Sequence, residues 1–119
     1  MFLPENERAI VDIAKLRDYC LNPNHSVGKH KAKVFASALR FTAEDAGRLR
    51  QMLLNAALLD QAVVKEKDQH GERYQIDFSI NLYSLDAVGM VAEGVVVIRS
   101  AWIVLTNETL PRLTTCYVL

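Results

Sequence analysis

The residues of this 119-residue chain able to do chemistry are few, and most of them are basic. Between Tyr19 and Ala43 stand Lys29, Lys31, Lys33 and Arg40 with no acid among them, giving the stretch a charge of +4, and His25 and His30 lie in the same stretch. On a helix, Lys29, Lys33, Ser37 and Arg40 share one flank, His30 sits beside Lys33, and Lys31 falls on the opposite flank. Lys29, Lys33 and Arg40 gathered on one side can hold a phosphate, and an imidazole poised near neutrality can take or give a proton beside it. The plainer reading of the same residues is a solvated lysine-rich helix face carrying an ordinary surface histidine.

Two further positions carry polar groups that a packed domain does not need. Arg99 interrupts the apolar run from Val95 to Leu105. An arginine in such a strand must be paired or solvated, and a cross-strand pair with Asp77 competes with a ligand role. In the segment Arg112-Leu113-Thr114-Thr115-Cys116-Tyr117, strict alternation places Arg112, Thr114 and Cys116 on one face. The candidate catalytic set is therefore His30, Lys33, Arg99 and Arg112, and the candidate phosphate ligands are Lys29, Lys33 and Arg40. Glycine-rich phosphate loops, HExxH, paired CxxC and nucleophile elbows are all missing from the sequence, so no metal ligand set and no cofactor is expected. Cys20 and Cys116 read as small buried hydrophobes, free and slow to react.

Composition narrows the classes. Half of the residues are hydrophobic and 24% are charged, which is globular composition and excludes intrinsic disorder. The length fits a single domain over residues 1–119. Fourteen basic side chains balance fourteen acidic ones, so the basic field of a general nucleic-acid binder is missing. A local basic patch on a neutral chain suits one anionic site better than wrapping along a polyanion. No apolar run reaches membrane-spanning length and the start lacks a signal-peptide pattern, so no membrane partner is expected and the reading is a reduced, cytoplasmic protein. Oligomeric state leaves no mark on the sequence.

The elements that must position these residues follow from periodicity. Asp12 caps a short helix in which Ile13, Leu16 and Cys20 face inward, ending before Asn22-Pro23. A second helix runs from about Lys29 to Leu39 with Ala32, Phe35, Ala36 and Leu39 as its buried stripe. Thr42 caps a third, with Asp45 three residues on as in a capping box, and with Ala46, Leu49, Leu53, Ala56 and Leu59 inward. The period then changes to two. Tyr74, Ile76, Phe78, Ile80 and Leu82 alternate with Arg73, Gln75, Asp77, Ser79 and Asn81, a half-buried strand. Ala62 to Lys65 pairs with it through a turn at Asp68-Gln69-His70-Gly71, Val95 to Leu105 makes a third strand and Leu113 to Val118 a fourth. The expected fold class is α+β, two or three N-terminal helices packed on one face of a roughly four-stranded antiparallel sheet.

Several strings add a resemblance. They are Lys15-Leu16-Arg17-Asp18-Tyr19, Leu21-Asn22-Pro23-Asn24-His25, Gly28-Lys29-His30-Lys31-Ala32-Lys33-Val34-Phe35, Gly71-Glu72-Arg73-Tyr74, Val97 to Val104, Pro111-Arg112-Leu113 and Tyr117. Over nearly the whole chain these resemble an uncharacterised bacterial domain family found both as small stand-alone proteins and as the C-terminal module of secreted polymorphic toxins. Helices followed by a four-stranded antiparallel sheet are also similar to the metal-independent ribonuclease fold of barnase, colicin and RelE-type toxins. The segment Tyr83 to Met90 makes a longer connection than the family pattern. The resemblance implies RNA as substrate, with cleavage by attack of the 2′-hydroxyl on the adjacent phosphorus. It equally allows a non-catalytic half of a two-gene pair, whose basic helix docks a small, acidic, antitoxin-like partner.

Overall fold

The computed structural model describes the backbone of residues 1–85 and 91–119 and the side chains of residues 1–81 and 94–119. A 3-10 turn at Asn6–Arg8 is followed by α1 (Ile13–Lys15), which opens into a π-turn over Leu16–Cys20; then come α2 (Lys29–Leu39) and α3 (Ala46–Leu59), the latter led by a 3-10 turn at Ala43–Asp45. Four strands complete the chain: β1 (Val63–Asp68), β2 (Gly71–Leu85), β3 (Val91–Leu105) and β4 (Arg112–Val118). They form one antiparallel sheet in the order β1-β2-β3-β4. The architecture is the α+β arrangement that the change of period implies.

The local reasons are those of the sequence, with a few departures. Asp12 accepts the Ala14 amide at 2.9 Å, satisfying a donor at the helix start. At Thr42 and Asp45 the reciprocal capping box is present, the Asp45 carboxylate accepting the Thr42 amide at 2.8 Å. Ala46, Leu49, Leu53 and Ala56 line the core as the period requires, but Leu59, at the helix end, is 76% exposed. The first helix is a shorter and wider turn than expected. Leu21 donates to the Leu16 carbonyl at 2.8 Å, the five-residue spacing of a π-turn. That extra residue brings both Cys20 and Leu21 into the core with Leu16, while Ile13 is left outside at 42% exposure.

The sheet's inner face carries Tyr74, Ile76, Phe78, Ile98, Trp102, Leu113 and Cys116, all buried against Leu16, Leu21, Phe35, Leu49 and Leu53 of the helical layer. Trp102 finds its partner within that core. Its indole N–H donates to Ser100 Oγ at 2.9 Å, and the Ser100 hydroxyl donates to the Ile76 carbonyl at 2.8 Å. Residues 83–85, expected in a connection, belong to β2, and residues 86–90 lie outside the described residues. One register shift corrects the reading of β4. Trp102 pairs with Leu113 and Ala101 with Thr115, so Thr114 is a bulge residue. Leu113 and Cys116 therefore both face the core, and Arg112, Thr114 and Cys116 do not share a face.

Candidate functional site

The helix α2 begins where two backbones meet. A Cβ added to Gly28 would lie 2.2 Å from the Tyr19 carbonyl oxygen, so only glycine lets the helix start rest on the π-turn. His25 holds the turn that delivers the chain there: its Nδ1 accepts the amides of Val27 at 3.0 Å and Gly28 at 2.9 Å. That fixes the ring proton on Nε2 and leaves His25 a structural role. Its ring also meets Tyr19 edge-on, 4.9 Å between centroids. Lys31 ties the helix down on its inner flank, its ammonium donating to the Tyr19 hydroxyl at 2.8 Å and lying 5.8 Å from the centre of the Tyr117 ring. Nothing in the sequence marks the contacts that Gly28, His25 and Lys31 make with Tyr19, because each joins residues from separate elements.

Held this way, α2 turns its other flank to a cleft of about 510 Å³. Lys29, His30, Lys33 and Ala36 line it from the helix, Leu21 and Pro23 from the preceding loop, and Phe41 and Thr42 from the segment that follows. Ala36, expected in the buried stripe, is a wall of this cleft instead; Ala32 and Phe35 carry the packing. Lys29, His30 and Lys33 are exposed, and none of them enters an ion pair among the described residues. The site thus combines two uncompensated ammonium groups, one imidazole and an apolar floor. That combination can hold an anion whose bearer also carries an apolar or planar group.

The other expected site residues lie elsewhere. Arg40 closes the C-terminal end of α2 in the left-handed conformation, φ 57°, and is exposed outside the cleft lining. Arg99 stands on the outer face of the sheet and grips Asp77 with two hydrogen bonds of 2.9 Å each, the cross-strand pair that competed with a ligand role. Those bonds hold the Asp77 carboxyl below the usual carboxylate range. Arg112 is bidentate to Glu108 at 2.6 and 3.1 Å, and holds that carboxyl low in the same way. The structure therefore brings Lys29, His30 and Lys33 together and sets Arg99 and Arg112 apart, each facing its own carboxylate. Among the described residues no cluster of three or more His, Cys, Asp or Glu side chains is arranged to hold a metal ion. No helix among them is long and apolar enough to cross a membrane.

Three helices packed over an antiparallel four-stranded meander, with a basic cleft along the second helix, define the class. The chain belongs to the DUF6883 family, a domain of unknown function whose family model matches residues 2–119. Neither a curated protein nor a solved structure matches it.

Proposed function

We propose that this chain is a toxin-related bacterial protein that binds a phosphodiester of RNA in the α2 cleft and cleaves it without a metal. The observation that carries the reading is the convergence of Lys29, Lys33 and His30, with no carboxylate among the cleft residues, on a recess with an apolar floor. In this reading the ammonium groups of Lys29 and Lys33 hold the phosphate and stabilise the charge that builds on the phosphorane. His30 takes the proton of the attacking 2′-hydroxyl or returns one to the leaving 5′-oxygen. Leu21, Pro23 and Phe41 offer the apolar surface against which a neighbouring base rests. Arg99 and Arg112, facing their carboxylates outside the cleft, support the sheet and do not clamp the phosphate.

The test is cleavage of a short single-stranded RNA. The expected product ends in a cyclic phosphate, its yield is insensitive to chelators, and His30→Ala lowers the rate about 10²-fold or more. Lys33→Ala weakens binding, with the salt dependence reduced by about one ion. Folding should hardly change, because removing an exposed charge moves stability within about 0.5 kcal/mol. RNA left intact by the wild-type chain refutes the catalytic reading.

A second observation favours the alternative, docking of an acidic antitoxin-like partner. On the flank opposite the cleft, Val34, Tyr117 and Val118 form a shallow apolar recess that His30 and Lys31 also border, and Val34 is 42% exposed. Under this reading a partner covers Val34 while its acids meet the lysines. Binding of such a partner that Lys33→Ala weakens, with RNA left intact, selects it.

A further inference from the structure

His30 stands between two recesses. On α2, Lys29 and Lys33 form one ridge and His30 and Val34 the next, each pair one turn apart, with Lys31 beyond them. The cleft opens on the first ridge and ends at His30. Past His30 a smaller recess of about 260 Å³ is bounded by Lys31, Val34, Tyr117 and Val118. Among the described residues His30 alone lines both.

The wall opposite Val34 is fixed to the sheet. Tyr117 pairs with Arg99 and Val118 with Ile98, and the Leu119 amide donates to the Val97 carbonyl at 2.9 Å. Lys31, anchored on the Tyr19 hydroxyl, keeps its ammonium 5.8 Å from the centre of the Tyr117 ring. Tyr117 and Val118 are only half-buried and Val34 is exposed, so an aromatic and apolar surface lies open beside the imidazole. Neither the cleft nor the recess has a carboxylate among its described lining residues.

We propose that the recess of Val34, Tyr117 and Val118 is a second nucleoside subsite, taking the base on the other side of the phosphate that Lys29 and Lys33 hold. This subsite rests on the reading of the cleft as an RNA site and sets the smallest complete ligand, a dinucleotide lying astride α2. Across the helix the surface runs from apolar floor to cations and imidazole to apolar wall. Base, phosphate and base follow one another in the same order along a nucleic-acid strand. A peptide has no such built-in alternation, so the order of the surface favours RNA over a protein partner. At about 260 Å³ the recess is smaller than the roughly 300 Å³ at which pockets for drug-sized ligands begin, and it suits one planar group. Tyr117 supplies the ring on which that base stacks. Gripping the strand on both sides of His30 also fixes the phosphodiester across the imidazole, as attack by the 2′-hydroxyl requires.

The experiment uses ApA and UpU, each with two counterparts in which the first or the second base is replaced by hydrogen. In the wild-type chain, loss of either base should lower kcat/KM about tenfold, the scale of one stacked base. Tyr117→Ala should lower kcat/KM for the intact dinucleotides about tenfold through KM, with an unchanged pH profile, and Tyr117→Phe should match the wild type. The Tyr117→Ala loss should vanish on the counterpart whose missing base is the one in the recess. Binding is measured in parallel with dinucleotides carrying a 2′-O-methyl group on the first ribose, which cannot be cleaved. Tyr117-dependent binding without cleavage of ApA or UpU keeps the subsite and refutes the catalytic reading alone. A wild-type chain that responds to only one of the two bases overturns the subsite and leaves the cleft reading standing. An equal Tyr117→Ala loss on every counterpart shows a structural role for the ring and overturns it as well. Methylated dinucleotides that fail to bind the wild-type chain overturn both. A protein ligand weakened by Tyr117→Ala, with dinucleotide binding unchanged, assigns the recess to docking instead.

Discussion

Replacing Gly28 with alanine tests how α2 is held in place. The added Cβ would meet the Tyr19 carbonyl oxygen at 2.2 Å, the Tyr19 carbonyl carbon at 2.9 Å and the Tyr19 ring at 3.3 Å. The first two are backbone atoms of a hydrogen-bonded turn and cannot swing aside. Restoring an ordinary contact of 3.4 Å to the oxygen requires the helix start and the π-turn to separate by about 1.2 Å. The backbone angles themselves are acceptable to alanine, φ −77° and ψ −12°, so the whole cost comes from the collision. Overpacking of this kind costs about 1–3 kcal/mol. For a domain of this size that lowers the melting midpoint by about 4–12 °C.

The displacement also reaches the cleft, because Lys29 and His30 directly follow Gly28 and move with it. Gly28→Ala should therefore weaken binding of a short RNA or of inorganic phosphate as well as lower stability. The control is Gly47→Ala on α3, where an added Cβ meets nothing within 4 Å. There the substitution removes only the entropic cost of glycine in a helix and should stabilise by about 0.5–1 kcal/mol. Differential scanning calorimetry on the two variants reads both signs directly. A Gly28→Ala chain that melts with the wild type would refute the account of how the basic helix is seated.

Ser100→Ala removes the buried hydroxyl that bridges the Trp102 indole and the Ile76 carbonyl. Leaving that indole N–H unpaired in the core should cost about 1–3 kcal/mol, read by denaturant unfolding, with a shifted emission from the single tryptophan; an unchanged midpoint would contradict it. Asp77→Asn tests the pair on the outer face. Hydrogen bonds from Arg99 depress the folded carboxyl below its unfolded value, so its contribution is present above the unfolded value near ~4 and is lost as pH falls through the folded one. Each side chain of the pair is 34% exposed, so screening keeps the effect at pH 7 within about 1 kcal/mol. The stability gap between wild type and variant should close as pH drops from 5 toward 2, and a gap that stays constant would show that the pair is not its source.

The sequence shows its regular parts plainly. The limits of α2, the capping box at Thr42 and Asp45, and the inward residues Tyr74, Ile76 and Phe78 rest on local periodicity and local hydrogen bonds, which a few adjacent residues carry. Two single-residue irregularities were hidden from it. The π-turn at Leu16–Cys20 and the bulge at Thr114 each insert one residue, and each shifts the phase of everything beyond it. Periodicity extrapolated across them puts Ile13 inside and groups Cys116 with Arg112. Half of the cleft was readable, because Lys29 and Lys33 sit one turn apart on a helix whose limits the sequence marks. Its other wall was not, since Phe41 and Pro23 reach it only through tertiary packing. The Gly28-Lys29-His30 string mixes both kinds of residue: Gly28 shapes the support, while Lys29 and His30 face the opening.

How the neutral total is assembled bears on what the cleft can attract. Arg73, Arg99 and Arg112 each meet a carboxylate within 3.4 Å, so the positive charge of these sheet arginines is cancelled where it stands. The lysines of the α2 cleft have no such partner among the described residues, and the acids that balance them are spread through the segments before and after that helix. Separated charge of this kind has no long reach. At physiological salt its field fades over about 8 Å, and with no net charge behind it there is little to steer a distant polyanion. An anion already touching the cleft feels the two ammonium groups directly, with an apolar floor that lowers the local dielectric behind them. The arrangement therefore favours a short anionic segment that is held at one phosphate and supported by contact with Leu21, Pro23 and Phe41. Long nucleic acid, whose affinity comes from many neutralised phosphates, gains little here beyond that one contact. Binding of a tri- or tetranucleotide should accordingly be nearly as tight as binding of a strand several times longer.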